Sequence, residues 1–149
     1  MLEILATAMI SVSSAALFVY WFRYTCLLIL STRTARDYTR AVAESHRLSV
    51  LNVLADLGKE TSDLARLHQS LGRDYEVLRQ LFRGAFANDG QALELRMLRL
   101  YYGLMNCWFS MAGRVSDRWA RTALEQMSRV VAHFANTLGE RMELAGAAA

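Results

Sequence analysis

The sequence predicts an all-α protein: a single N-terminal transmembrane helix followed by a cytoplasmic helical bundle of three to four helices. The chain of 149 residues has no proline, 54% hydrophobic residues and a mean hydropathy of +0.14. This composition is typical of a helical protein with one segment in lipid. An uncharged run of membrane length lies near the start, and apolar residues recur at helical spacing through the rest. The length beyond the span suffices for one small domain.

The predicted span consists of nineteen consecutive uncharged residues, Ile4 to Phe22. As a helix this run extends about 28 Å, close to the hydrocarbon thickness of a bilayer. A cleaved signal peptide is the rival interpretation, because Ser13 and Ala15 resemble a small-residue cleavage site. However, Glu3 stands where a basic segment is expected, and the apolar run continues past that site. We therefore predict a spanning helix.

The lower boundary of the span has two possible registers, because residues 25–32 are also apolar. In the first, the aromatic residues and Arg23 lie at the membrane interface. In the second, the span shifts toward Arg33 and leaves Arg23 inside the membrane, where a charge is costly without a partner. We favour the first, since a snorkelling arginine reaches lipid phosphates unaided. The predicted interface residues are Tyr20, Trp21, Arg23, Tyr24, Arg33, Arg36 and Arg40.

One face of the span carries small residues at helical spacing. These residues are Thr7, Ser11, Ser14 and Ala15. Small side chains permit close backbone approach, so this face is a candidate surface for packing against another membrane helix. The alternative is that serine and alanine are simply frequent in bacterial membrane helices.

Basic residues follow the span, whereas its short N-terminal flank offers only Glu3. The positive-inside rule therefore places the C-terminal domain in the cytoplasm of a bacterial inner membrane and the N-terminus outside. Four arginines are predicted to share one face of a helix leaving the membrane: Arg33, Arg36, Arg40 and Arg47. Such a stripe attracts anionic headgroups by about 1 kcal/mol per residue. The basic residues that commonly flank the cytoplasmic end of any membrane span explain most of the same pattern.

Between residues 54 and 85 apolar residues alternate at three and four positions, as in a heptad repeat. The series is Leu54, Leu57, Thr61, Leu64, His68, Leu71, Tyr75, Leu78, Phe82 and Ala85. Leu67 and Leu81 widen the stripe beyond a two-stranded seam, which indicates a bundle. The heptad spacing stays in phase across Gly58 and Gly72, so we predict a mostly continuous helix. A bend at Gly58 is the alternative.

The turn signal Asn88-Asp89-Gly90 ends that helix, and the next helix begins there. Its predicted apolar face holds Leu93, Met97, Leu100, Tyr101, Leu104, Trp108 and Met111. Residues 100–113 contain no charge, which predicts burial on several sides. This helix is therefore expected to be the centre of the bundle or to meet another chain. The predicted core or partner contacts are Tyr101, Tyr102, Leu104, Trp108, Phe109 and Met111.

A last helix is predicted after Gly113, with Ser116 and Asp117 at its start. Its apolar stripe is Val115, Trp119, Ala123, Met127, Val130, Phe134 and Leu138. The predicted boundaries are residues 1–32 for the membrane helix and its extension, 33–144 for the domain and 145–149 for a frayed tail. The alternative is a long antiparallel hairpin that pivots at residues 88–90. The uncharged run counts against it, because a two-stranded hairpin cannot bury such a helix all round.

No catalytic, cofactor-binding or metal-binding site is predicted. His46, His68 and His133 are isolated from one another, and Glu44 precedes His46 by two residues instead of the three that helical di-iron sites use. Cys26 and Cys107 lie in separate apolar runs, unlike a disulfide framework. Basic and acidic residues are interspersed, with a net charge of +3, so no nucleic-acid partner is expected.

These features predict a non-enzymatic accessory or structural subunit of a larger inner-membrane complex. Its expected partners are other membrane-protein subunits and the anionic headgroups of the bilayer. The alternative is a homo-oligomeric, membrane-proximal stalk or signalling module.

Overall fold

The structure is a computed structural model that describes residues 1–31, 37–59, 63–85 and 92–147. The chain divides into two compact units, residues 1–32 and residues 33–149. The described ranges consist of helices and the turns between them, which confirms the predicted all-α class. The helices are α1 (Leu2–Ser31), α2 (Thr39–Ser45), α3 (Val50–Leu57), α4 (Leu64–Ala85), α5 (Ala92–Ala112) and α6 (Asp117–Ala147).

Helix α1 is the first unit. Within the described ranges it alone is long and apolar enough to cross a bilayer, over Glu3–Ser31. Every side chain from Glu3 to Trp21 is exposed. In the second half of the helix, Phe18 stacks on Phe22 with ring centroids 6.3 Å apart, and Trp21 meets Tyr24 edge-on at 5.9 Å. The helix thus presents a long apolar surface, of the kind that water covers poorly.

Helix α2 ends in a left-handed turn. Arg47 has a φ of 52°, and the N–H of Leu48 donates to the carbonyl of Ala43 at 2.8 Å. This six-to-one hydrogen bond is the Schellman geometry that commonly closes a helix, with arginine in the position that glycine usually occupies. The turn reverses the chain so that α3 can also pack on α6.

Helix α2 approaches α6 closely at Gly139. A Cβ atom added there would lie 2.4 Å from the Cβ of Tyr38 and 3.0 Å from a methyl group of Val42. The backbone N–H of Tyr38 donates to the side-chain oxygen of Asn136 at 2.7 Å, and its hydroxyl donates to the carboxylate of Glu143. The missing side chain of Gly139 therefore permits the contact, and the polar bonds fix its position.

Helix α3 is short, and side chains from other helices hold it at both ends. At its start, the carboxylate of Asp74 accepts hydrogen bonds from the backbone N–H of Ser49 at 2.7 Å and from the Ser49 hydroxyl at 2.9 Å. At its end, the guanidinium of Arg121 donates to the carbonyls of Leu57 at 3.4 Å and Lys59 at 2.8 Å. These bonds satisfy backbone groups that a helix terminus leaves unpaired.

The prediction of a mostly continuous helix over residues 54–85 is wrong. Helix α3 ends at Leu57, just before Gly58, and α4 starts at Leu64. The carboxylate of Asp63 caps the new helix by accepting from the N–H groups of the second and third residues after it, at 3.1 and 3.2 Å. Leu57 and Leu64 are seven residues apart, so the interruption preserves the heptad phase and periodicity alone cannot detect it.

Helices α4 and α5 are joined by stacked rings, here called the aromatic ladder: His68 on Phe109 and Tyr75 on Tyr102. The ring centroids are 4.3 Å and 3.8 Å apart, and the planes are within 10° of parallel in both pairs, at 9° and 5°. The second pair lies seven residues after the first on α4 and seven residues before it on α5, as expected for antiparallel helices. The ladder extends toward α6, where Phe134 lies 6.1 Å from Tyr75.

Helix α6 is the centre of the bundle, because α2, α3, α4 and α5 all pack against it. Its buried side chains follow the predicted stripe from Ala123 onward and continue on both sides of it. They are Ala120, Ala123, Leu124, Met127, Val130, Val131, Phe134, Ala135 and Leu138. This arrangement corresponds to the predicted bundle and not to the two-armed hairpin. Five helices follow α1 in the described ranges, against the three or four predicted, because the first predicted segments divide into α2, α3 and α4.

The predicted boundaries of α5 and α6 are confirmed at their junction. Helix α5 ends one residue before Gly113, and α6 starts directly after Ser116, whose carbonyl accepts the N–H of Ala120. The turn signal at residues 88–90 lies outside the described residues. Helix α6 extends to Ala147, so residues 145–147 continue the helix. The predicted frayed tail, residues 145–149, lies partly outside the described residues and stays a prediction.

Candidate functional site

The outer face of α5 carries an apolar surface that none of the described helices of the bundle covers. Leu100 is 66% exposed, Met111 is 59% exposed, and both Leu93 and Leu104 are also exposed. Their spacings of seven, four and seven residues place all four side chains along one line of the helix. The apolar stripe identified by periodicity therefore exists, but it faces away from the core.

The surface continues across the turn into α6. Val115 and Trp119 are exposed, and Trp119 meets Trp108 edge-on with ring centroids 5.9 Å apart. We call the whole surface the α5 outer strip. Its members are Leu93, Leu100, Leu104, Trp108, Met111, Val115 and Trp119. Contiguous exposed apolar surface of this kind marks an interaction site more often than scattered apolar residues do.

The inner face of α5, turned away from the strip, packs into the core and holds the helix in position. Tyr101 is fully buried, Tyr102 is nearly so, and Leu98 and Ala112 complete the inner face. Burial raises the pKa of the Tyr102 hydroxyl, and the neighbouring Tyr75 hydroxyl raises it further. Both tyrosines of the ladder therefore stay neutral at physiological pH and act as packing rings. The strip is thus displayed on a helix whose orientation the core determines.

The predicted centre of the bundle is only partly in the core. Tyr101 and Tyr102 are buried, as expected for core residues, and Phe109 is half-buried under His68. Residues 100–113 are predicted to be buried on several sides, either at the centre of the bundle or against another chain. The first alternative is wrong, since α6 occupies the central position. A helix at the periphery of a bundle has only one covered face.

The other three predicted contacts face outward. Leu104, Trp108 and Met111 are exposed members of the α5 outer strip. Trp108 is 42% exposed, even though it is in nearly the same helical phase as the buried Tyr101 seven residues earlier. Of the two expectations for this helix, contact with another chain is the one compatible with this exposure.

Small residues border the strip, and the sequence analysis missed them. Gly103 and Ser110 are seven residues apart on one edge, with Cys107 between them, and Ser110 and Cys107 are exposed. A Cβ atom added to Gly103 would meet nothing within 4 Å. The signal in the sequence was the seven-residue repeat of small side chains beside the leucines, which permits close approach of a second helix.

The strip has a basic border. Arg96 and Arg99 lie between its first leucines, and Arg114 and Arg118 lie at the turn into α6. Within the described part of the chain, none of these four arginines has an ion-pair partner. The ends of the strip therefore carry positive charge that the bundle does not neutralise.

Two acidic residues occur in the same segment, and each has an effect inside the protein. Glu94 faces His133 on α6; burial lowers the pKa of the His133 imidazole, and the negative charge of Glu94 partly offsets that decrease. Asp117 occupies the first turn of α6, where a negative charge stabilises the helix dipole. Four arginines and two carboxylates leave residues 92–119 with a net charge of +2, so the positive charge of the border is only partly balanced.

The predicted packing face of α1 is exposed along its length, at Thr7, Ser11, Ser14 and Ala15. The Thr7 hydroxyl donates to the carbonyl of Glu3 at 2.8 Å, and the Ser11 hydroxyl donates to the carbonyl of Thr7 at 2.8 Å. These hydroxyls are satisfied within their own helix. The face can consequently meet lipid or another helix without an additional polar partner.

The predicted interface residues Tyr20, Trp21, Arg23 and Tyr24 are exposed on α1. Their rings form edge-on contacts with one another, such as Tyr20 with Trp21 at 6.2 Å. This aromatic cluster beside Arg23 has the composition of a membrane-interface belt.

The arginine stripe predicted after the span does not form on one helix. Arg40 is exposed on α2, whereas Arg47 lies in the left-handed turn after that helix. Arg33 and Arg36 lie outside the described residues. The prediction was wrong at Arg47 because the chain reverses there, which a reading based on helical periodicity cannot foresee.

A groove of about 500 Å³ lies between α3 and α4. Most of the residues that line it are charged or polar, and two of them, Lys59 and Asp56, form an ion pair at 2.6 Å. Small-molecule pockets are mostly apolar with a few convergent polar groups, so this groove lacks the usual composition of a ligand site.

Residues that could bind a metal are dispersed over the described helices, which hold no group of three or more histidine, cysteine, aspartate or glutamate side chains. His68 bonds to the side-chain oxygen of Asn106 at 2.6 Å beneath the ring of Phe109. Cys26 and Cys107 are both free thiols.

No protein-family model, no curated protein and no solved structure matches this sequence. The α5 outer strip and the exposed helix α1 are thus the features that bear on function.

Proposed function

We propose that this protein is a non-enzymatic, membrane-anchored accessory or structural subunit of a larger bacterial inner-membrane complex, and that it works through helix–helix contacts. The observation that carries the proposal is the α5 outer strip. A small domain that leaves seven large apolar side chains exposed in one strip gains stability when another protein surface covers them.

Helix α1 serves as the membrane anchor in this proposal. A signal sequence and the core helix of a soluble protein satisfy the same criteria of length and composition. The continuous exposure of residues 3–21 argues against a core helix, and the apolar run that continues past Ala15 argues against a signal sequence. The internally bonded hydroxyls of Thr7 and Ser11 suit a helix in lipid.

The bundle lies in the cytoplasm in this proposal. The sequence places arginines directly after α1, which is the charge distribution of a span with its C-terminal side inside. The free thiol of Cys107, exposed on α5, is compatible with a reducing compartment.

The test is purification of the full-length protein from its native membranes in a mild detergent, followed by mass measurement of the intact assembly. We expect foreign subunits to co-purify. Leu104→Glu places a charge in the α5 outer strip and should release them. Val77→Glu is the matched control, because Val77 is an exposed apolar residue on α4, outside the strip. Retention of every subunit by Leu104→Glu would refute the proposal.

A second candidate is a homo-oligomeric stalk or signalling module. The small face of α1 favours it, because a helix with Thr7, Ser11, Ser14 and Ala15 on one side can pack closely against an identical helix. The same mass measurement separates the two functions: an assembly of integral multiples of 16.8 kDa without foreign subunits would support the stalk.

A further inference from the structure

We propose that the α5 outer strip binds an amphipathic helix of another subunit, and that this helix has an apolar stripe bordered by carboxylates. This inference rests on the proposed function and adds the chemistry of the partner to it. Three properties of the strip support it: its shape, its small residues and its charge.

The shape of the strip fits a helix. Leu93, Leu100, Leu104 and Met111 follow one line along α5, a helix of 21 residues, and therefore about 30 Å long. Their spacing of seven and four residues is that of one side of a coiled-coil seam, into which the side chains of a facing helix insert. A loop or a sheet edge lacks that repeat.

The small residues favour close approach. Gly103 leaves open space beside Leu100 and Leu104, and Ser110 lies one heptad further along the same edge. A facing helix can place a large side chain in each of these gaps. A helix that lies on a membrane surface instead presents a broad apolar face, whereas this seam is narrow and has polar and small residues directly beside it.

The charge of the strip identifies the chemistry of the occupant. Arg96 and Arg99 at one end and Arg114 and Arg118 at the other have no ion-pair partner in the described ranges. Complementary charges at the edges of a helical seam determine which partner binds. The four arginines outnumber the neighbouring Glu94 and Asp117 by two, and this excess of positive charge favours a helix with glutamate or aspartate beside its apolar stripe.

The same charges disfavour a second copy of this chain. In a pair of these bundles that pack along their strips, the excess of arginine on one copy would meet the same excess on the other. Like charges placed opposite one another weaken a helical pair. A foreign acidic helix does not incur this repulsion.

The test uses two synthetic probes and the full-length protein in an uncharged detergent. Both probes are 21-residue helices with leucine at heptad positions a and d. One has glutamate and the other lysine at positions e and g. Binding is measured by fluorescence anisotropy of a label on the probe. We expect the glutamate probe to bind at least about tenfold more tightly at low salt, with the ratio falling as salt rises.

The decisive variant reverses the charge of the strip. Arg96→Glu combined with Arg114→Glu should abolish or invert the preference, whereas Arg73→Glu, on the exposed side of α4, should leave it unchanged. Circular dichroism checks that all three proteins have the same helix content. Equal binding of both probes, preference for the lysine probe, or binding of neither would overturn the inference.

The other occupants give distinct results in the same preparation. A dimer that forms without a probe and disappears in Leu104→Glu would identify a second copy and overturn the inference. A lipid surface is tested with a polarity-sensitive dye on Cys107 in a Cys26→Ala background. An emission shift in nanodiscs with anionic lipid, but not in neutral nanodiscs, would show that lipid covers the strip. That result would also overturn the inference. If foreign subunits co-purify but the probes show no charge preference, the inference fails while the proposed function stands.

Discussion

Tyr101 and Trp108 show how residues in the same helical phase acquire different roles. They are seven residues apart on α5, yet Tyr101 is fully buried and Trp108 is 42% exposed. The difference arises from the surroundings: Tyr101 lies in the core of the bundle, whereas Trp108 lies near the start of α6 and forms an edge-on ring pair with the exposed Trp119. Sequence spacing could locate both aromatic residues, but it could not tell which of them the bundle covers.

Replacement of the two residues by alanine should separate stability from binding. We expect Tyr101→Ala to lower the free energy of unfolding by about 3–5 kcal/mol, as for other buried aromatic residues, because it leaves a cavity. Trp108→Ala should lower it by about 1 kcal/mol or less, because the ring is partly in solvent, but should release co-purifying subunits. Urea unfolding of the full-length protein in detergent measures the first effect, and subunit content measures the second. Equal destabilisation by the two variants would contradict the assignment of Trp108 to the surface.

Asp74 should make stability depend on pH in an unusual direction. Its carboxylate caps α3 while buried, and the burial raises its pKa more than the hydrogen bonds from Ser49 lower it. Between the unfolded pKa, about 3.9, and the higher folded value, the folded protein binds more protons than the unfolded chain. The contribution of Asp74 to stability therefore decreases as pH rises through that window.

Asp74→Asn should remove this contribution, because the amide oxygen still accepts the Ser49 hydrogen bond but does not titrate. We expect the stability of Asp74→Asn relative to the natural protein to increase between about pH 4 and pH 7. Asp74→Ala, which also removes the cap, should be about 1 kcal/mol less stable than Asp74→Asn throughout. Urea unfolding across this pH range measures both effects. Parallel pH profiles for Asp74→Asn and the natural protein would show that the burial of Asp74 has no thermodynamic consequence.

At the scale of the helix, α3 shows why periodicity predicts the existence of elements better than their limits. The heptad phase runs unbroken from Leu57 to Leu64, yet the helix is interrupted between them. Arg121 caps the end of α3 and Asp63 the start of α4. Arg121 lies more than sixty positions away in the sequence, so the residues around Leu57 could not predict this cap.

The contact of α2 with α6 depends on the absence of a side chain at Gly139. We expect Gly139→Ala to destabilise the protein by about 1–3 kcal/mol, because its Cβ would overlap Tyr38 and force α2 outward. Gly72→Ala is the matched control: this glycine is in the interior of α4 with nothing within 4 Å of an added Cβ. That change should stabilise the protein by about 0.5–1 kcal/mol. Urea unfolding gives both values, and a loss of stability in both variants would contradict the packing argument.

The small face of α1 should tolerate bulk less well than the rest of the helix if it packs against another span. We expect Ser11→Leu and Ala15→Leu to reduce co-purification of membrane partners more than Leu5→Ala does, because a large side chain keeps two helices apart. The amounts of each partner recovered per mole of the protein give the comparison. Equal recovery from all three variants would mean that lipid, and not protein, covers this face.

At the scale of the whole molecule, the sequence allowed prediction of the all-α class, the long apolar helix and the α5–α6 junction at Gly113. Composition, an uncharged run and capping residues are local signals, and they suffice for these features. The central position of α6 and the outward orientation of the α5 outer strip could not be predicted. Both depend on which helices meet in three dimensions, and Leu104 has the same apolar character in a core as at a docking surface.

The proposed topology predicts the activity of two reporters fused to the C-terminus. Alkaline phosphatase is active only in the periplasm, so a fusion should be inactive, whereas a green fluorescent protein fusion should fluoresce. The reason is the set of arginines that follows α1. An active phosphatase fusion would place the bundle outside and remove the cytoplasmic part of the proposal.

The aromatic ladder sets a rule for how the length of this protein can change. His68 pairs with Phe109 and Tyr75 with Tyr102, so each heptad of α4 is matched to one heptad of α5. An insertion of one to three residues between His68 and Tyr75 would rotate one ring away from its partner, because each added residue turns a helix by about 100°. Adding seven residues to each helix, between the paired rings, would keep both pairs in register. We therefore expect length variants of this bundle to be viable in paired steps of seven residues.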